Sequence, residues 1–314
     1  MISEFKLQAE CFKWHWNNFP DQRGRLFTVN NNAPNAYAGS VMKAMGVVAG
    51  VSDMIWLSPT GAVMLEFKAE KGKQSLSQKW WEGVVQDAGY RYEVIRSVED
   101  FQKVISAQQA KIHLADFFNK NKDCGVIGFR VFWGKQLPNN IVSDEIPYSV
   151  KSFVGCGHAW RMKAWNEIPN YPEWFVFYGE EDFASYHLFK NKWKIIYNPV
   201  LFVQHRVDLK ARRNEADILK RTRMSFRSGL YLFFLFLPIN VAAYSFLSSI
   251  WVYVKNKIFK GNKIATIAFF QVIFDLLINT PRLIRFRDTL TKEEYSIFKQ
   301  LPDSQIFWKP KNKE

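Results

Sequence analysis

"SDMIWLSPTGAVMLEFKAEKG", residues 52–72, holds two apolar runs around the turn Ser58-Pro59-Thr60-Gly61. Asp53 opens the first run, and Glu66 and Lys68 interrupt the second. Apolar runs bounded by turn-forming residues read as strands, here 53–57 and 62–69. If Leu57 faces Ala62, facing residues sum to 119 and Asp53 falls opposite Glu66. Directly opposed side chains lie about 5 Å apart on one face, so two carboxylates there repel unless a cation sits between them. Lys68, two residues beyond Glu66, shares that face, while Phe67 points into the core. The hairpin thus offers two carboxylates to a hard divalent ion and one ammonium beside it. The Glu-x-Lys spacing alone carries little information, because Glu4-Phe5-Lys6 repeats it on a helical stretch.

Outward from the hairpin, residues 3–18 read as an amphipathic helix capped by Ser3, with Leu7, Cys11, Phe12 and Trp16 at helical spacing. Residues 28–50, rich in Asn, Ala and Gly and containing Pro34, read as a loop with a short helix. Residues 75–89 form a helix with a Ser cap and a Gly stop, 90–97 a strand, and "SVED" at 97–100 opens another helix. The order α, β, β, α, β, α closes an α/β unit by about residue 109. A new pattern of helix, turn and strand begins at 114–134 with no linker between.

The formal charge of +14 is unevenly spread: residues 1–110 hold 12 Lys/Arg against 11 Asp/Glu, and the remainder supplies +13. A basic balance points to nucleic acid, anionic lipid or a phosphorylated substrate, here for the second part only. Tight nonspecific duplex binding relies on many phosphate contacts, of which Lys71, Lys73 and Lys79 can supply a few. Cys11, Cys124 and Cys156 are widely spaced, which argues against a disulfide framework or zinc site and for a reducing cytoplasmic setting. The N-terminus has no basic region followed by an apolar one, so no secretory signal is expected.

The segments "EFKLQ", "GVVAGVSDMIWL", "AVMLEFKAEKG" and "SLSQKWWEGVVQDAGYRYEVIRSVEDF" together resemble the VRR-NUC branch of the PD-(D/E)XK, restriction-endonuclease-like nucleases, over roughly residues 3–106. The resemblance implies an αβββαβ-type domain over 1–109 that cleaves DNA with Mg2+ or Mn2+. It makes Asp53 and Glu66 metal ligands, Lys68 the catalytic lysine, Glu4 a first-helix acid completing the site, and Gln78 a helix glutamine approaching it. Ser52 stands where that family has proline.

Further on, "SFVGCGHAWRMKAWNEI" (152–168) and "FVFYGEEDFASYHLFKNKWKIIYNPVLFVQH" (175–205) look like the acceptor-side half of a family 2 glycosyltransferase of the GT-A type. This similarity runs from about 114 to the C-terminus. It implies a partial GT-A α/β region at 110–228, with Asp182 as general base beside Glu181, Gly155 and Gly157 shaping the substrate loop, and His205 on the donor metal. A nucleotide sugar and a glycan acceptor would be its partners. No Asp-x-Asp occurs in the 314 residues, so the donor diphosphate site that inverting transfer needs is missing and the region reads as an incomplete transferase.

Residues 229–254 contain no charge over 26 positions, enough for one spanning helix unless Pro238 or Asn240 breaks it into a pair. Residues 264–279, with Asp275, read as interfacial. Arg221, Arg223 and Arg227 before the apolar run and Lys255, Lys257, Lys260 and Lys263 after it suit an anionic cytoplasmic membrane surface. Residues 229–314 are thus expected to be membrane-associated helices and a basic tail. The leading expectation is a metal-dependent DNA nuclease fused to a transferase fragment. The alternatives are a membrane-associated glycosyltransferase and an inactive membrane-bound remnant.

Overall fold

The computed structural model describes residues 3–30, 33–139, 141, 143–207 and 217–303. The chain forms two compact α/β units, Met1–Phe117 and Phe118–Glu314. The first contains α1 (Glu4–Asn18), β1 (Leu26–Thr28), α2 (Ala36–Ala44), β2 (Met54–Ser58), β3 (Gly61–Phe67), α3 (Leu76–Asp87) and β4 (Arg91–Ile95), and α4 (Val98–Lys120) leads out of it. The helix that opens after Ser97 therefore runs without a break past residue 109, where the first unit was expected to close, and through 114, where a new helix was expected. Its first turn is held by Ser97 Oγ, which accepts from the Asp100 amide at 3.0 Å.

The sheet of this unit has the order β1-β2-β3-β4, with β1/β2 and β2/β3 antiparallel and β3/β4 parallel. The hairpin register is the one read from the turn: Leu57 faces Ala62 and Met54 faces Leu65. Val63, Leu65 and Phe67 alternate toward one face and pack with Leu7 and Cys11 of α1 and Phe101 and Ile105 of α4. A slip of one residue would bury Met64 in their place and turn Glu66 and Lys68 into this core, so the apolar alternation fixes where the charges point. β3 ends two residues earlier than expected because the Ala69 amide leaves the ladder for Glu4 Oε1, at 3.0 Å. β1, which falls mostly between the expected helix at 3–18 and the expected loop at 28–50, is only three residues long and shows no alternation of its own. Pairing with Met54–Trp56 makes it a strand.

The second unit has β5 (Cys124–Trp133), β6 (Tyr148–Val150), β7 (His158–Trp160), α5 (Met162–Asn166), α6 (Glu180–Lys190) and β8 (Lys194–His205). Among the described residues the α-helices α7 (Ile218–Phe236), α8 (Ile239–Tyr253), α9 (Lys263–Arg285) and α10 (Lys292–Gln300) follow. Its sheet order is β6-β8-β5-β7, with β5/β8 parallel and the outer pairs antiparallel. The long parallel pair shifts register between Phe129↔Asn198 and Arg130↔Phe202. Pro199 lies in that gap and has no amide to give the ladder, so the strand bulges there.

The uncharged stretch breaks at Leu237–Pro238, which ends α7 and precedes α8. Proline removes the bond that would continue α7 but is tolerated at a helix start. α9 is longer than the expected 264–279, and by length and composition it can cross a membrane. Asp275 does not face outward from it. Arg223 grips that carboxylate with two nitrogens, Nε at 2.7 Å, and Arg227 adds an ion pair at 3.7 Å. The opposite face exposes Ile267, Phe270, Phe274, Leu277 and Ile278. The basic tail beyond residue 303 lies outside the described residues.

His187 of α6 packs edge-on to Phe183 and Phe236, with Nδ1 3.6 Å from Asp288 Oδ2. Burial pushes it down from 6.5 to about 4, Asp288 opposing and Lys190 adding to the shift. The unfolded chain therefore takes up a proton that the folded chain refuses until the lower value, so stability is lost as pH falls from about 6.5 to about 4. His187→Phe is expected to flatten the melting temperature against pH in that window. An unchanged slope in the variant would assign the acid sensitivity elsewhere.

Candidate active site

The parallel neighbour β4 and the helix α3 close over the charged face of the hairpin. α3 starts at a capping box: Ser75 Oγ accepts from the Gln78 amide at 3.2 Å, and Gln78 Oε1 accepts from the Ser75 amide at 2.8 Å. This fixes the Gln78 side chain, whose Nε2 donates to Glu66 Oε1. One glutamine thereby caps a helix and holds the acid. Gly50 lets the preceding loop approach this turn. Its φ is +87°, and a Cβ there would lie 2.3 Å from the Ser77 carbonyl group, so no other residue fits without displacing the start of α3.

Glu66 is fully buried, and Lys68 is 7 % exposed. Lys68 Nζ donates to Glu66 Oε1 and to Phe67 O, the latter at 3.2 Å, and stands 3.8 Å from Glu4 Oε2. The second Glu66 oxygen accepts from the Tyr92 hydroxyl at 3.3 Å. Asp53 Oδ2 accepts from the Phe67 amide at 2.7 Å, which fastens the two ends of the hairpin together beside Glu66. Burial raises the Asp53 carboxyl, Phe67 and Lys68 opposing and Glu4 adding. Burial likewise raises Glu66, with Lys68 lowering it and Asp53 raising it. Asp53 thus disfavours the charge on Glu66, the Lys68 hydrogen bond favours it more strongly, and burial is what leaves both carboxyls raised.

The structure therefore brings Asp53, Glu66, Lys68 and Gln78 to one place, with Glu4 at its edge. Glu4 is committed to the Ala69 amide and faces Lys68. Among the described residues no group of three or more His, Cys, Asp or Glu is gathered as a metal cluster, so the donor set here is the pair Asp53 and Glu66. Two neighbouring carboxylates, Glu66 buried and Asp53 half-buried, suit a hard divalent cation. A cleft of about 340 Å³ opens beside Asp53, which lines it with Gln78, Ser75, Ser77, Gly50 and Lys43. Lys43, Lys71, Lys73 and Lys79 are exposed.

Ser52 is fully buried and its Oγ donates to Met54 O at 3.1 Å. A side-chain bond thus constrains the backbone there. Sequence reasoning missed Tyr92 and Arg96. Tyr92 pairs with Met64 across the parallel ladder and so shares the face of Glu66, which the period of two makes readable once β3 and β4 are neighbours. Arg96 Nη1 donates to Ala69 O and Gly72 O at 3.0 and 2.8 Å, closing the loop that follows Lys68.

In the second unit, a Cβ on Gly155 would lie 1.9 Å from Glu181 Oε1, so the glycine loop and the acidic turn of α6 fit each other. Gly157 is likewise confined, with Val203 Cγ2 2.7 Å from an added Cβ. Burial raises Asp182, a hydrogen bond to Ser152 opposing, and burial raises Glu181. His205, at the end of β8, stacks edge-on against Trp133 at 4.5 Å.

No family model matches the chain, and no curated protein matches it. A solved structure described as a VRR_NUC domain protein is similar at 18% identity, over 33% of this chain and 86% of that one, with a TM-score of 0.27.

Proposed function

We propose that the first unit is a divalent-metal-dependent nuclease hydrolysing DNA phosphodiester bonds. The observation that carries this reading is the convergence of Asp53, Glu66 and Lys68, with Glu66 and Lys68 buried and Asp53 lining a cleft. Mg2+ or Mn2+, held by Asp53 and Glu66 with Glu4 at the rim, would supply charge neutralisation for a phosphodiester and activation of a water. The Phe67 amide holds Asp53, while Gln78 and Tyr92 hold the two oxygens of Glu66. Lys68 offsets negative charge growing on the phosphate in the transition state. Lys43, Lys71, Lys73 and Lys79 meet the flanking backbone. The full chain is expected to cut linear or branched DNA with Mg2+ or Mn2+ and to stop in excess chelator. No product from either DNA with either ion would end the proposal.

A second reading concerns the other unit. The fit of Glu181 into the space at Gly155 and the raised carboxyl of Asp182 favour an acceptor-side transferase site, with Asp182 deprotonating a sugar hydroxyl and Glu181, Gly155 and Gly157 shaping the loop. His205 keeps the role of donor-metal ligand in that reading. Sugar transfer from a nucleotide donor, abolished in Asp182→Asn, would support it. We also infer that this unit lies on an anionic membrane surface. The outward apolar face of α9, the exposed Leu247 and Trp251 of α8, and the lysines between the two helices support that placement.

A further inference from the structure

Between α7 and α8 runs a cleft of about 580 Å³ whose chemistry changes along its length. Arg221 lines it in the first turn of α7, Phe226 and Leu230 in the middle, and Phe233 near the far end. Arg221 and Phe233 are separated by roughly 18 Å at the α-helical rise. α8 returns along α7 after the tight turn at Leu237–Pro238, and the ring of Tyr253 stacks on Phe226 at 4.0 Å. That alignment brings Lys257, just past α8, level with the start of α7, so both cations line the same end. Asp217 orients Arg221 by accepting from its Nε at 2.8 Å, and the guanidinium lies over Phe177.

We propose that this cleft binds one anionic phospholipid, its phosphate between Arg221 and Lys257 and an acyl chain along Phe226, Leu230 and Phe233. Charge complementarity selects the head group. The apolar half offers nothing to a free phosphate ion and everything to a hydrocarbon chain. The exposed apolar faces of α8 and α9 continue the same surface toward a bilayer. The inference rests on the placement of this unit at a membrane and names the molecule it would select there. It is independent of the nuclease reading.

The full chain, purified in neutral detergent, is offered phosphatidylglycerol or phosphatidylcholine, and retained lipid is counted by native mass spectrometry. Vesicle flotation reads membrane attachment separately. Phosphatidylglycerol should be retained in preference, and the pair Arg221→Gln and Lys257→Gln should reduce its retention by about tenfold or more, as expected for lost charge-assisted hydrogen bonds. Gly229→Leu provides a second variant. Gly229 lines the cleft, a Cβ there meets nothing within 4 Å, and leucine is the better helix former, so the change fills the cleft without straining the fold. It too should lose the lipid. Retention unchanged in both variants with flotation intact overturns the cleft assignment and spares the membrane placement. Retention lost in both variants by a chain that never floats supports the cleft and removes the placement. Equal retention of the two lipids, or release of phosphatidylglycerol by inorganic phosphate at equal concentration, also overturns the proposal.

Discussion

Lys68→Ala is expected to slow Mg2+-dependent DNA cleavage by about 10²- to 10³-fold in single-turnover assays, the loss typical when a preorganised charge aimed at the transition state is removed. The side chain is held at three points, Glu66, Phe67 O and Glu4, and it is nearly out of solvent. Its charge is therefore worth more than that of a surface lysine, and it requires no reorganisation during the reaction. Because the substitution also strands a buried carboxylate, Lys68→Met, which keeps most of the volume, should be assayed beside it with circular dichroism on both. Both variants should fold and both should be slow. A folded variant cutting at the wild-type rate would remove Lys68 from the chemistry.

The second large effect lies in the other unit. Asp275→Ala leaves Arg223 and the 4 % exposed Arg227 without their carboxylate, and breaking one side of a buried pair costs about 3–5 kcal/mol. The same helix contact keeps Tyr231, whose hydroxyl donates to Asp275 O at 3.2 Å. Amide exchange in α7 and α9 should accelerate by roughly two orders of magnitude or more, while exchange in β2 and β3 stays unchanged. Asp275→Asn, which keeps one acceptor, should fall between. Unaltered exchange in α7 and α9 of the alanine variant would make the carboxylate a bystander.

What could be read from the sequence follows the strength of the local signal. The Ser58–Gly61 turn and the alternation of Val63, Leu65 and Phe67 gave the hairpin register to the residue, because a slip exchanges the apolar core face for the face that carries Glu66 and Lys68. From that register the grouping of Asp53, Glu66 and Lys68 followed. Tyr92 was not legible, since its position depends on β4 lying parallel beside β3, a non-local pairing that no local pattern encodes. Gln78 was placed near the site by resemblance, but its second task at the Ser75 cap was written in the Ser-x-x-Gln spacing and passed unread. β1 was too short to register as a strand. Asp275 read as a mark of the membrane interface because a charge in an apolar helix looks alike whether it meets water or a buried arginine. Only packing of α9 on α7 separates the two.

Manganese binding reads the pairing of Asp53 and Glu66 without relying on turnover. Titrated with Mn2+ and followed by electron paramagnetic resonance, the full chain should bind an ion at a site that disappears in Glu66→Gln and in Asp53→Asn, both of which preserve side-chain shape. Binding that survives both changes, or no binding in the unaltered chain, would contradict the pairing of those acids around a cation.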